Sequence, residues 1–399
     1  MKRKLLAGVL SVVMAAGLLA GCGSSSSDTT TTSESTSETS EAATEAAETE
    51  VAETEAAETE VASGDIVANE AYSFEIVSKG FQSTYWQAVY KGAKAKADEL
   101  GVTINMVGPN SESDIADQVQ MLNSAVNAKP AAIGFASLDT NAALDAISAA
   151  QAAGIPIIGF DSGVPDAPEG AVYANASTDN YNAGGVAAEG MYEGIKDRIA
   201  NAQGQVRIGE VNQDATSESI CNRGLGFIDK MIELLAADGK TVAVTGNDYY
   251  ITNTTGETVA EADADVVIEV RVPSQTTTEL TAIEASTILN KADTIAIFGS
   301  NQTAAEGVVT ANDNLSVLGT GDDKIIGVGF DSGSVLKGAI TSGVLYGAVT
   351  QAPVAIGEKM VELLVMVANG ETVADVDTGC QWYNAENITS SEIAQNLYD

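Results

Sequence analysis

Gly159-Phe160-Asp161-Ser162-Gly163 follows the apolar pair Ile157-Ile158, and Gly329-Phe330-Asp331-Ser332-Gly333 follows Ile325-Ile326-Gly327-Val328. The same phrase closes two apolar runs about 170 residues apart. Short apolar runs ended by glycine and a small acid read as buried strands. Met twice, the phrase points to two lobes of like construction.

Outward from these two copies, short apolar runs alternate with amphipathic stretches. Strands are expected over 72–77, 102–107, 131–135, 156–160, 172–175, 205–211, 264–270, 294–298, 325–330, 345–349 and 378–383. Helices are expected over 84–100, ended by Gly101, and over 114–127, 141–153, 180–199, 218–237, 279–290, 304–311, 334–341 and 354–369. Alternation of this length implies parallel sheets with helices on both faces. The stretch 241–261, rich in Thr, Gly and Asn, reads as an inserted hairpin. After Tyr383 only a weak helical period remains.

The N-terminal part has another character. Met1-Lys2-Arg3-Lys4 is basic, residues 5–19 are apolar, and Leu19-Ala20-Gly21-Cys22 places small residues ahead of a cysteine. The apolar run is too short to span a bilayer, so a secretory signal peptide over residues 1–22 is expected. Its ending resembles the bacterial lipobox, whose cysteine takes a diacylglycerol. That resemblance implies a lipid anchor on Cys22 at the outer face of the cell membrane. Residues 23–66 form a Ser, Thr, Glu and Ala tract, and from Asp28 to Glu70 there are 13 acids and no Lys or Arg. Such a segment buries too little apolar area to offset chain entropy, so a self-repelling spacer is expected.

The chain of 399 residues carries a net charge of −37. That excludes a nucleic-acid partner, which needs clustered Lys and Arg. Histidine is absent, removing the commonest general base and transition-metal ligand. With Cys22 assigned to the anchor, Cys221 and Cys380 remain. Export permits them to pair, but two free thiols are the expectation.

In open parallel sheets, ligands bind beyond the carboxyl ends of the strands. Ser83, Tyr85 and Trp86 follow the first expected strand, and Asp161 and Ser162 the fourth. Arg223 lies in the helix after 205–211, Asn301 follows 294–298, and Asp331 and Gln351 complete the set. Carboxylates accept from hydroxyls, Arg and amides donate to them, and aromatic rings stack on C–H faces. The inventory therefore suits a sugar or related polyol. It holds no nucleophile–base pair, metal-ligand cluster or glycine-rich phosphate cradle, so no catalysis, metal or cofactor is expected. Blander roles suit the same residues: Trp86 in the core, the two Asp as helix N-caps, Arg223 in a surface ion pair.

Taken in order, the motifs resemble the periplasmic sugar-binding proteins of ABC transporters, specifically the ribose-binding-like, type I branch. Ser83-Thr84-Tyr85-Trp86 leads into Tyr90-Lys91-Gly92-Ala93, and Pro156-Ile157-Ile158-Gly159-Phe160-Asp161 precedes Ser177-Thr178-Asp179-Asn180 and Ala183-Gly184-Gly185. Arg223-Gly224-Leu225-Gly226-Phe227, Gly299-Ser300-Asn301, Val328-Gly329-Phe330-Asp331 and Thr350-Gln351-Ala352-Pro353 complete the series, over about Tyr72 to Ile388. The resemblance implies an α/β protein of two Rossmann-like lobes, residues 70–177 with 351–379 and residues 178–350 with 380–399. A three-segment hinge near Ser177, Gln351 and 377–380 would join them. It implies that Asp161, Arg223, Asn301, Asp331 and Gln351 hold sugar hydroxyls while Tyr85 and Trp86 pack on the ring.

The implied partners are a sugar ligand and an ABC transporter permease, with a sensor kinase as the alternative, and the protein is expected to be a monomer. Three places depart from the family pattern: Ser83 stands for Asn, Ser162 for an Arg beside the Asp, and Thr276 near a second-lobe aromatic. A sugar-responsive repressor of this architecture would carry a helix-turn-helix where this chain has its leader and acidic tract. An exported carbohydrate-active enzyme is the other alternative, opposed by the missing histidine.

Overall fold

The computed structural model describes residues 66–399; the expected signal peptide, the anchor at Cys22 and nearly all of the acidic tract lie outside the described residues. Five strands come first: β1 (Ser73–Val77), β2 (Thr103–Val107), β3 (Ala132–Phe135), β4 (Ile157–Phe160) and β5 (Val172–Ser177). Between them lie α1 (Thr84–Leu100), α2 (Ile115–Ala128) and α3 (Leu144–Ala152). Then follow α4 (Asn180–Asn201), β6 (Val206–Val211), α5 (Glu218–Ala237), β7 (Val242–Gly246), α6 (Asp248–Asn253), β8 (Val266–Arg271), α7 (Thr278–Leu289) and β9 (Thr294–Gly299). The series continues with α8 (Gln302–Leu315), β10 (Ile326–Phe330), α9 (Ser334–Thr341), β11 (Gly347–Gln351) and α10 (Pro353–Ala368). Last come β12 (Val376–Asp377), β13 (Cys380–Tyr383) and α11 (Ser391–Ala394).

The strands form two sheets, ordered β12-β5-β4-β3-β1-β2 and β13-β11-β10-β9-β6-β8-β7. Every pairing is parallel except β11 with β13. Parallel strands need crossover helices, which cover both faces and bury the strands between them. β4 and β10 are accordingly buried at every residue. Each sheet with its helices is a lobe. The chain passes between the sheets three times, through residues 178–179, Ala352 and residues 378–379.

One helix pair in each lobe packs at backbone distance. A Cβ on Gly92 of α1 would fall 2.0 Å from Val354 O, and one on Gly357 of α10 2.0 Å from Val89 O. In the second lobe a Cβ on Gly184 of α4 would fall 2.0 Å from Arg223 O, and one on Gly226 of α5 1.9 Å from Tyr181 O. Only glycine permits such an approach. The second pair fixes the height of Arg223 above its sheet.

Two expectations are corrected. Residues 241–261 are not a hairpin, because 242–246 form β7, a parallel edge strand beside β8. α6 follows, its first turn capped by Asn247 Oδ1 accepting from Tyr249 N (2.9 Å), and then a 3-10 turn over Glu261–Asp263. The strand expected over 378–383 is shorter, β13 over Cys380–Tyr383, and the short strand β12 (Val376–Asp377) ahead of it was not expected. Gly379 takes φ 74° and the chain changes sheets there, β12 joining β5 and β13 joining β11.

Candidate ligand-binding site

The ends of β4 and β10 are built alike. Asp161 and Asp331 follow them with φ of 58° and 72°, a left-handed conformation unfavourable for a residue with a Cβ. The neighbouring strand holds it in both lobes: Asp161 N donates to Ala176 O of β5 (3.0 Å), and Asp331 N to Val349 O of β11 (2.7 Å). Neither Asp caps the helix that follows it. Asp161 Oδ1 accepts from the Tyr85 hydroxyl. Asp331 accepts from Gln351 Nε2 at Oδ1 (2.8 Å) and from Gln302 N at Oδ2 (3.1 Å). Burial raises both carboxyls above their ordinary range, opposed by the charge of Lys79 and then Arg223 at Asp161, and by that of Arg223 at Asp331.

Arg223 is 2% exposed, yet no carboxylate lies within ion-pair distance of it among the described residues. Its Nε and Nη2 donate to Asn180 Oδ1 (3.2 and 2.6 Å) and its Nη1 to Ser300 O (2.8 Å). A guanidinium has five N–H donors, so two remain. A surface ion pair is not its role.

Trp86 packs edge-on against Tyr85 and Phe160, with ring centres 5.2 and 6.1 Å away, and so belongs to the first-lobe core. Its indole also starts a chain of bonds that crosses the lobes. Trp86 Nε1 donates to Glu112 Oε1 (2.9 Å), Gln213 Nε2 to Glu112 Oε2 (2.9 Å), and Asn301 Nδ2 to Gln213 Oε1. Asn301 Oδ1 caps α8 by accepting from Ala304 N (3.0 Å), and Ser83 Oγ caps α1 by accepting from Trp86 N (3.4 Å).

These groups surround about 370 Å³ of space, open solvent included. Ser83, Tyr85, Trp86, Asp161, Arg223, Asn301, Asp331 and Gln351 all line it. Ser162 does not; its Oγ accepts from Ser219 N (3.2 Å) across the lobes. Thr276 is also outside the lining, its N donating to Ser113 Oγ (2.8 Å). Sequence reasoning missed Lys79, Glu112 and Gln213, which line the cavity too. Lys79 and Gln213 each stand two residues beyond a strand, β1 and β6, where the strand-end rule applied throughout finds them. Glu112 sits in the longer loop after β2 and carries no such signal.

The lobes are closed over this space. Lys79 Nζ donates to Ser217 Oγ and Ser219 Oγ (3.2 and 3.3 Å), Gln302 Nε2 to Thr84 Oγ1 (3.1 Å), and Gly163 N to Glu218 Oε2 (3.2 Å). Gln351 Oε1 is buried there without a partner, an acceptor that is costly to leave unmet. Among the described residues no group of acids and cysteines is placed to hold a metal ion, and Cys221 and Cys380 are both free.

Two parallel-sheet lobes closed on a polar cavity at their strand ends define a solute-binding protein of type I architecture. The Periplasmic binding protein domain family matches residues 74–372, and this chain belongs to it. The D-allose-binding periplasmic protein of Escherichia coli (strain K12) is 23% identical over 320 residues, 78% of this chain and 89% of that protein. A solved ABC transporter solute-binding protein from Agrobacterium vitis, with bound D-fucose, is 28% identical with a TM-score of 0.68, over 82% of this chain and all of that one (100%). A Brachyspira murdochii structure described as "ABC transporter, LacI family transcriptional regulator" is 34% identical with a TM-score of 0.67, over 82% and 99%. No helix among the described residues is long and apolar enough to cross a membrane.

Proposed function

We propose that this chain is an extracytoplasmic solute-binding lipoprotein that captures an uncharged monosaccharide or related polyol by lobe closure and passes it to an ABC transporter permease. Cys22 is the lipid anchor, the acidic tract is the spacer, and the protein works as a monomer. The lobes, residues 70–177 with 351–379 and residues 178–350 with 380–399, rotate about the three crossings.

The observation that carries this reading is Arg223, buried without a carboxylate partner and with donors to spare, beside the unmet acceptor of Gln351. A hydroxylated ring donates to Gln351, Asp161 and Asp331 and accepts from Arg223 and Lys79 in one pose. Tyr85 and Trp86 supply the apolar wall. Two cations face Asp161, Asp331 and Glu112 around the cavity, so there is no surplus of positive charge for a sugar acid or phosphate. Closure is populated when the solute makes contacts that the open form lacks. On this reading the solute leaves unchanged.

Calorimetry against D-allose, D-fucose, D-arabinose, D-xylose and their uronic acids tests the reading. One neutral sugar should bind one-to-one, with binding lost in Asp161→Ala and Arg223→Ala and the sugar recovered intact. Tighter binding of a uronate than of every neutral sugar, or binding indifferent to both substitutions, refutes it.

A further inference from the structure

Tyr398 lies beyond the residues matched by the family and ties the two halves of the cavity together. Its backbone and hydroxyl are fastened to the second lobe. Ser332 Oγ donates to Tyr398 O (3.1 Å), Gly333 N to the same oxygen (3.2 Å), and Ser332 N to the Tyr398 hydroxyl oxygen (3.2 Å). Just upstream, Thr350 Oγ1 donates to Asn396 O (3.3 Å), and Leu397 packs into a second-lobe core. These anchor points adjoin Asp331 and Gln351, both of which line the cavity.

The ring belongs to the other side. It lies 6.0 Å from the Tyr85 ring at 66°, an edge-to-face contact, and packs against the first-lobe core that holds Trp86 and Phe160. Tyr85 in turn donates to Asp161. One residue thus spans from the backbone beside Asp331 to the side chain that orients Asp161.

We propose that Tyr398 is a positioning residue of the binding site, which braces Tyr85 against Asp161 from the opposite lobe and so favours the closed arrangement. Tyr85 rides on the first lobe and Ser332 on the second, so opening separates the rings. The contact belongs to the closed state alone and acts whether or not a solute is present.

The test uses the full chain with donor and acceptor dyes attached by non-cysteine chemistry at Ser148 and Ile283, exposed positions on the two lobes. Energy transfer without solute reads the closed fraction of the parent, Tyr398→Phe and Tyr398→Ala. Tyr398→Ala should lower the closed-to-open ratio roughly 2- to 10-fold, the size of an edge-to-face pair, and Tyr398→Phe should hold it near the parent value. Equal ratios in all three, or a Phe variant that behaves like Ala, overturn the proposal. If Tyr398→Ala does not fold, Tyr398→Leu replaces it, keeping apolar bulk without the ring.

A second arm, resting on the sugar reading, uses D-allose as probe. Tyr398→Ala should speed dissociation by a similar factor and leave association within about twofold, because the brace forms after encounter. An unchanged dissociation rate overturns the proposal. Absence of D-allose binding to the parent counts against the sugar reading for that probe, while energy transfer still decides the brace.

Discussion

The guanidinium carbon of Arg223 lies 3.7 Å from the centre of the Phe330 ring, so the last residue of β10 supports the cation that serves the cavity. A planar guanidinium stacked on a ring and bonded along its edge cannot be replaced by an ammonium. Arg223→Lys should therefore weaken solute binding about 10- to 100-fold despite keeping the charge. Phe330→Leu keeps the hydrogen bonds and loses the ring face, for a smaller loss of about 0.5–2 kcal/mol. Calorimetry checks both, and Lys at parental affinity would remove Arg223 from the clamp.

Gly80 makes room for the bond between Trp86 and Glu112. A Cβ there would lie 3.0 Å from Glu112 Cγ and 3.5 Å from Trp86 Cδ1, and Gly80 is not in the left-handed region. Gly80→Ala should thus displace the carboxylate while leaving the backbone path intact. The expected result is a changed Trp86 emission, read in a Trp382→Phe background, with affinity lowered by about 1 kcal/mol, the worth of one hydrogen bond. Parental emission and affinity together would show that the bond does not matter.

Binding should be coupled to protons through Asp161 and Asp331. Burial raises both carboxyls in the empty protein, so each bears its charge at a cost that is fully present above its raised value. The empty fold therefore gains stability as pH falls from those values toward the ordinary carboxylate range. Solute hydroxyls that donate to the carboxylates favour their charged forms. Binding should release protons in that window, and affinity should fall as pH drops through it. Calorimetry in buffers of different ionisation heat gives the proton count; a count of zero throughout contradicts the assignment.

Glu210 should make the second lobe lose stability as pH rises. Asn212 Nδ2 donates to Glu210 Oε1 (2.6 Å), while Glu210 Oε2 and Asn212 Oδ1 are both buried without partners. Burial pushes this carboxyl well above its usual range, with only the Asn212 bond opposing it. Its share of stability is present at low pH and is lost as pH rises through the raised value. Glu210→Gln should flatten the fall in melting temperature as pH rises. Parallel profiles for parent and variant would mean that Glu210 does not titrate in the fold.

The helix crossings tolerate no added atom. Gly184→Ala places a methyl 2.0 Å from Arg223 O and must push α4 from α5, at a cost of about 1–3 kcal/mol read by thermal unfolding. Binding should weaken as well, because Arg223 rides on α5.

Much of this was legible in the chain because the relevant signals are local. The repeated Gly-Phe-Asp-Ser-Gly phrase marks two strand ends, and those ends carry the backbone geometry that aims Asp161 and Asp331. Residues 242–246 misled because a parallel edge strand pairs with a partner distant in sequence, and its Thr, Gly and Asn surroundings look like a turn. The switch at Gly379 depends on which sheet has a free edge, which no local pattern records. Ser162 was grouped with its neighbour Asp161, but its hydroxyl meets the other lobe, a contact that exists only in three dimensions. Glu112 was invisible for the same reason.

Thr378 N donates to Ser177 O (3.0 Å) and Thr178 Oγ1 to Gly379 O (3.2 Å), so two of the three connections between the lobes are stitched to one another. A two-residue span reaches about 7 Å at full extension. This side of the molecule can swing but cannot part. On the proposed reading any gape opens away from these crossings, where Lys79 and Thr84 reach over, and the solute has a single doorway for arrival and departure.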